Sequence, residues 1–242
     1  METIGSTHFT FKIVDSQELL EESFRLRYQV YCHECNFIHE ADYPQRRESD
    51  EYDKVSLHVV AMDPYGIIGA ARLILYSPLG FPLEKHCPDI TADDALLQKE
   101  HAAEISRLVI SKNYRRRKDD GLYYGPHIID RPDQKITHPG GRRERPMAFG
   151  IYREMYQESK RKGITHWYAL MEEKLWRLLH VHGFTFKPIG EAIDYYGPVV
   201  PYLAKIDELE RELFKRSVSF FEYFIDGLEQ TYVPPFYLAT KQ

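Results

Sequence analysis

The sequence predicts one α/β domain, a three-layer sandwich with a mixed central sheet between helices. Three observations predict it. Two β-rich apolar runs, 56–62 and 67–76, flank the turn signal Asp63-Pro64-Tyr65-Gly66 and read as a hairpin. A third branched run, Glu104 to Ile110, reads as a buried strand. Beyond residue 147, helical and strand patterns alternate, and parallel strands need such crossover helices.

The elements follow in order. His8 to Val14 alternates and is rich in β-formers, which predicts a first strand. Asp15-Ser16-Gln17-Glu18 resembles a capping box and opens a helix on which Leu19, Leu20, Phe24, Tyr28 and Tyr31 recur at helical spacing. Arg27 lies beside that apolar stripe, and spacing alone favours its snorkelling to solvent. Residues 37–54 show no period. Residues 77–102 form a Pro-containing connection with one short helix before the Glu104 strand. Residues 121–146 are rich in Gly, Pro and Arg and read as an inserted loop. A helix is expected over Met147 to Lys162, ended by Gly163. A strand follows over Thr165 to Met171, then a helix over Glu172 to His182 closed by Gly183. Phe184 to Ile189 and Val199 to Ile206 read as further strands, with Tyr195-Tyr196-Gly197-Pro198 between them. One long amphipathic helix is expected over about 207–229. Neither a repeat nor a long linker divides the chain, so 1–242 reads as one domain with a basic insertion at about 112–146.

Hydrophobic residues make up 43% of the 242 and charged residues 29%, the balance of a soluble globular protein. No apolar run approaches the ~20 residues that span a bilayer, so no stable membrane insertion is expected. The first residues lack a basic region followed by an apolar one, so the cytoplasm is the expected location. Three cysteines, Cys32, Cys35 and Cys87, are too few and too odd for a disulfide framework. Cys32-His33-Glu34-Cys35 with His39 has no second Cys pair and continues a helix, so packing cysteines are favoured over zinc. The net charge of −5 hides an asymmetry: Lys112 to Lys162 holds 14 Lys/Arg against 7 Asp/Glu. A basic stretch on an acidic chain points to a specific anionic partner and away from general nucleic-acid affinity.

The Glu104 strand carries the chemistry. It begins Glu104-Ile105-Ser106-Arg107. A buried strand holds an acid and an arginine only with partners, because an unpaired buried charge costs several kcal/mol. The candidates are Arg27, the acidic loop residues Glu48, Asp50 and Asp53, and Arg72, which interrupts the second hairpin strand. Two readings stand side by side: these charges line one polar cleft, or they form an ion network that only holds strands together. Alternation puts Glu104 and Ser106 on one face and Arg107 on the other, so a shared cleft requires a bulge between them.

The set Arg27-Tyr28-Gln29-Val30-Tyr31, Phe37, Glu48-Ser49-Asp50-Glu51-Tyr52-Asp53, Arg72 and Glu104-Ile105-Ser106-Arg107 resembles the signature of acyl-homoserine-lactone synthases. Each piece alone is a weak motif; the ordered set is specific, and it covers about residues 10 to 115. The resemblance implies a GNAT-like acyltransferase fold shared with N-acyl amino acid synthases, here with a C-terminal helical extension. As a whole the chain most resembles acyltransferase-like proteins associated with the PEP-CTERM/exosortase system. Where that family carries Trp, associated with its S-adenosylmethionine acceptor, this chain has Phe37.

The resemblance implies an N-acyltransferase moving a fatty acyl group from acyl carrier protein to the amine of an amino acid or similar small acceptor. Amine attack on a thioester needs a base and a home for the oxyanion. Glu104 is the expected base. Ser106 and Arg107 complete the catalytic set. Arg27, Tyr31, Phe37, Glu48, Asp50, Asp53 and Arg72 are expected to shape the acceptor cleft. Coenzyme A-dependent relatives of this fold carry paired glycines after the central strand to bind pyrophosphate. Here the stretch is Arg115-Arg116-Arg117-Lys118-Asp119-Asp120-Gly121. Acyl-CoA is therefore less favoured as donor than acyl-phosphopantetheine, and no cofactor or metal is expected. Acyl carrier proteins are acidic, so Arg115, Arg116, Arg117, Lys118, Arg142, Arg143 and Arg145 are candidate docking residues. The alternatives are an acyl-homoserine-lactone synthase and a non-catalytic protein that binds an acyl ligand or its carrier.

Overall fold

The computed structural model describes residues 9–90, 99–112, 114 and 147–240. The insertion core, with Arg115 to Lys118 and Arg142 to Arg145, lies outside the described residues.

Strand β1 (Thr10–Ile13) leads through the N-cap Ser16, whose Oγ accepts from Leu19 N, into helix α1 (Gln17–Tyr28). The helix continues as a π-helical turn over Gln29–Glu34, which carries Tyr31. The loop beyond it ends at Asp50, which caps a 3-10 turn over Glu51–Val55. Then come β2 (Ser56–Asp63) and β3 (Gly66–Leu75), the expected hairpin. Asp63 Oδ1 accepts from Tyr65 N and Gly66 N, and Gly66 takes φ +142°, which favours glycine. Among its described residues the connection carries the short α-helix α2 (Pro82–His86) and a 3-10 turn over Lys99–His101 before β4 (Ala102–Ile110). After the insertion come α3 (Met147–Arg161), β5 (His166–Met171) and α4 (Glu173–Val181). The short strands β6 (Lys187–Pro188) and β7 (Ile193–Asp194) precede β8 (Pro198–Lys205).

Two expectations need correction here. The strand expected over Phe184 to Ile189 pairs only at Lys187–Pro188, because Phe184 and Phe186 pack as stacked rings in the core. The single helix expected over about 207–229 is two, α5 (Ile206–Arg216) and α6 (Val218–Ile225). Ser217 breaks it with extended backbone, and its Oγ caps α6 through Phe220 N. The break lets α6 turn its aromatic face onto α3, where Phe220 and Phe224 meet Phe149 and Tyr156. A short helix α7 (Pro235–Ala239) closes the described chain.

Among the described residues the strands run in the order β1-β2-β3-β4-β5-β8-β6, with β7 on β8. Only β4 and β5 are parallel. Side chains of one strand parity, such as Val59, Leu73 and Ile105, bury against α3 to α6, while Val60, Ala70 and Val109 bury against Leu26 and Val30 of the α1 side. β4 and β5 pair only over Ala102–Ile105 with His166–Ala169, then separate. That parting of two neighbouring strands in mid-sheet positions the site.

Candidate active site

The expected bulge is present in β4. Arg72 of β3 lies opposite Ser106, yet Ala70 lies opposite Val109, so β4 carries one extra residue between them. Arg107 has φ +55°, rare for a side chain with a Cβ. The bulge turns Arg107 to the α1 side of the sheet, the side that also receives Glu104 and Ser106. Val109 then resumes the alternation against α1.

Six charged side chains close into a ring of alternating sign. Arg27 donates to Glu48 Oε2 (2.5 Å) and to Asp53 Oδ1 (2.7 Å). Glu48 Oε1 accepts from Arg107 Nε (3.0 Å), and Arg107 Nη2 donates to Asp50 Oδ2 (3.1 Å). Asp50 takes both Arg72 Nη1 (2.5 Å) and Nη2 (2.8 Å). Arg72 Nη1 also reaches Asp53 Oδ1 (2.8 Å), which closes the ring. The local sequence builds its floor: Asp53 accepts from Asp50 N, Asp50 from Tyr52 N, and His58 Nε2 holds the Asp53 carbonyl. Burial alone would raise Asp53, but Arg27 and Arg72 hold its carboxyl at about 2. Asp50 is also held low, mainly by Arg72 against the cost of its burial. Arg27 is 1% exposed, not snorkelling as spacing favoured, because its partners sit inside the fold.

Glu104 stands outside this ring. It is 3% exposed and accepts from Leu83 N at 2.9 Å, with no ion pair among the described residues. Burial pushes its carboxyl up to about 7, only partly opposed by that amide and by Arg72 and Arg107. A carboxyl poised there can take and return a proton at neutral pH.

A cavity of about 190 Å³ opens where β4 and β5 part. Its lining takes Ile105 to Leu108 from β4 and Ala169 to Met171 from β5. One end is polar, with Glu48, Arg72, Glu104, Ser106 and Arg107; the other is apolar, with Tyr152, Met171, Leu175 and Val199. Tyr31, Phe37, Tyr43, Tyr195 and Tyr196 rim it, and Phe37 stacks on Tyr196 at 5.8 Å. Ser106 Oγ accepts from Arg72 Nε at 2.8 Å, which frees its O–H to donate into the cavity. Arg107 Nη1 has no acceptor among the described residues. Burial raises Tyr31 to about 12, so it stays neutral.

Of the expected site residues, Glu104, Ser106, Arg107, Arg72, Glu48, Tyr31 and Phe37 lie on the cavity. Arg27, Asp50 and Asp53 brace its wall through the ring and are not among its lining residues. Sequence reading missed Leu83, His86, Tyr195 and Tyr196. His86 packs 4.3 Å from Tyr195, and burial with Arg107 and Lys85 lowers its pKa. The Tyr195-Tyr196-Gly197 turn was visible as a turn, but no local signal said which cavity it would rim. No group of three or more His, Cys, Asp or Glu among the described residues is placed to hold a metal. No helix among them is long and apolar enough to cross a membrane.

Residues 26–123 match the family described as an acetyltransferase (GNAT) domain. No curated protein matches the sequence. Among solved structures, the chain is similar to the AHL synthase LasI at 15% identity and TM-score 0.60, covering 86% of this chain and 96% of that one. It is similar to FeeM, an N-acyl amino acid synthase from uncultured soil microbes, at 13% identity and TM-score 0.60, covering 87% and 97%. It is also similar to BjaI, a CoA-dependent acyl-homoserine lactone synthase solved with SAM and isopentyl-CoA, at 18% identity and TM-score 0.59, covering 88% and 89%. The fold is GNAT-like.

Proposed function

We propose that this protein is an N-acyltransferase that moves a fatty acyl group from a thioester donor to the amine of an amino acid or similar small acceptor. The observation that carries the reading is Glu104: a buried carboxyl with no ion pair among the described residues, poised near neutrality at the polar end of a cavity whose other end is apolar.

In this reading the acyl chain lies along the apolar end, and the thioester carbonyl sits near the β4 bulge. The acceptor enters at the aromatic rim. Its carboxylate pairs with the open Nη1 of Arg107, and Tyr31 and Phe37 pack beside it. The ammonium sheds one proton to solvent, and Glu104 takes a second, directly or through water, as the amine attacks the carbonyl carbon. The O–H of Ser106, polarised by Arg72, donates to the developing oxyanion. The C–S bond then breaks, and the thiolate leaves with the proton held by Glu104. The ion ring does no chemistry: its alternating charges hold Arg72 and Arg107 in place.

Acyl carrier protein is the proposed donor, docking on Arg115 to Lys118 and on Arg142, Arg143 and Arg145. The support is charge: these seven are cations in the most basic stretch of an acidic chain. The CoA-dependent neighbour BjaI keeps acyl-CoA as the competing donor. Phe37, in place of the Trp associated with an S-adenosylmethionine acceptor, favours amino-acid acylation over lactone synthesis. The resemblance to acyltransferase-like proteins of the PEP-CTERM/exosortase system supports a bacterial setting near surface-polymer machinery.

The test is incubation with acyl-carrier and acyl-CoA thioesters and a panel of amines, with free thiol measured. Acceptor-dependent thiol release from the carrier is expected. Tight binding of thioester without release under any amine would overturn the reading in favour of a binding protein.

A further inference from the structure

Glu104 receives its hydrogen bond among the described residues from a helix too short to hold itself. Helix α2 has five residues, and isolated turns of that length are unstable in water. Its first residue, Pro82, has no N–H, so Leu83 offers the first free amide, and that amide meets Glu104 Oε2 at 2.9 Å. What ties the turn down is Glu84. Its Oε2 accepts from Phe81 N at 3.1 Å, and its backbone N donates to Phe81 O at 3.1 Å. Its Oε1 accepts from Lys99 Nζ at 2.6 Å. Lys99 opens the short turn that leads into β4, so Glu84 joins the element that donates to Glu104 and the segment that carries Glu104.

We propose that Glu84, balanced by Lys99, is a positioning residue that sets the proton affinity of Glu104. It does so in two ways. The cap holds the Leu83 amide on the carboxylate, and its own negative charge opposes a second charge on Glu104. Lys99 offsets part of that repulsion. The proposal rests on the reading of Glu104 as the base. The other groups that face Glu104 are Arg72 from β3, Tyr168 beside it on β5, Arg107 on its own strand and Cys87 just beyond α2; His86 and Glu172 share its cavity. Arg72 and Arg107 are already committed to the ring, so Glu84 is the nearby charge with a separate partner of its own.

The two members of the pair predict shifts of opposite sign. Glu84→Gln keeps an oxygen for Phe81 N but removes the charge, so Glu104 ionises at lower pH. Lys99→Met leaves Glu84 uncompensated, so Glu104 ionises at higher pH. The double variant returns toward the starting value. The first readout is the 13C titration of the carboxyl resonance that disappears in Glu104→Gln, followed in the resting protein without substrate. The second is the acid limb of kcat/KM. If the limb moves by about half a unit, kcat/KM at pH 6 rises about two- to threefold relative to its plateau in Glu84→Gln and falls comparably in Lys99→Met. A merely structural role would lower the rate at every pH and leave the midpoint in place, and that result overturns the proposal. Shifts of the same sign in both variants also overturn it. If the carboxyl titration moves as stated while Glu104→Gln retains its turnover, the positioning role stands and the base assignment fails.

Discussion

Glu104 and Asp53 are both buried carboxyls, and their surroundings drive them in opposite directions. Asp53 has two arginines and is held at about 2; Glu104 has one amide and is raised to about 7. Glu104→Gln is therefore expected to lower kcat at least about a hundredfold, the usual worth of a positioned base, with KM for the thioester little changed. If Glu104 is the base, as proposed, wild-type kcat/KM should rise with pH through about 7, because a base acts only after it ionises. Asp53→Asn leaves Arg27 and Arg72 short of a partner, and breaking a buried pair costs about 3–5 kcal/mol. Because Asp53 is depressed in the fold, its stabilisation is present above its ordinary value and lost as pH falls through about 2. Urea unfolding should accordingly show the gap between wild type and Asp53→Asn at neutral pH, closing between about pH 4 and 2. A gap of equal size across that range would count against the ring.

Elements place these side chains by departing from regularity. β4 brings Glu104, Ser106 and Arg107 to one side only because it carries an extra residue at a left-handed position. α3 sits close enough to β1 that a Cβ on Gly150 would meet the Phe11 ring at 2.3 Å. Gly150→Ala should therefore destabilise by about 1–3 kcal/mol, against the gain of up to about 1 kcal/mol that alanine normally brings to a helix interior. Urea midpoints decide the sign, and a more stable variant would refute the close packing. The helix break at Ser217 follows the same logic: an amphipathic pattern continues through it, but only a bend lets both halves face the core.

For the whole molecule, the question is how a long thioester reaches Glu104. The cavity opens between β4 and β5, so under the proposed function a donor would lie across the sheet, with the acceptor at the polar end. If an acidic carrier delivers it, reversing Arg115, Arg116 and Arg117 to Glu should raise KM for acyl carrier protein at least about tenfold, and added salt should mimic the effect. Neither change should alter turnover of an acyl-CoA to the same degree. Equal losses with both donors would remove the docking assignment.

Order and type of most elements were legible because they rest on local signals: alternation in β2 and β3, the Ser16 cap, Gly163 and Gly183 with positive φ after α3 and α4. The charged positions were legible too, since a branched apolar strand that opens on Glu104 and Arg107 demands partners. What the chain alone could not say was how those charges divide. Spacing favoured solvent for Arg27 beside its apolar stripe, and Glu104 could have been one more member of the network. Only the fold decided that six of the seven close a neutral ring and leave Glu104 with an amide. The reason is physical: partner choice among buried charges depends on which donors lie within about 3 Å, and segments 20 to 60 residues apart come that close only when the sheet, its bulge and the short helix α2 are assembled.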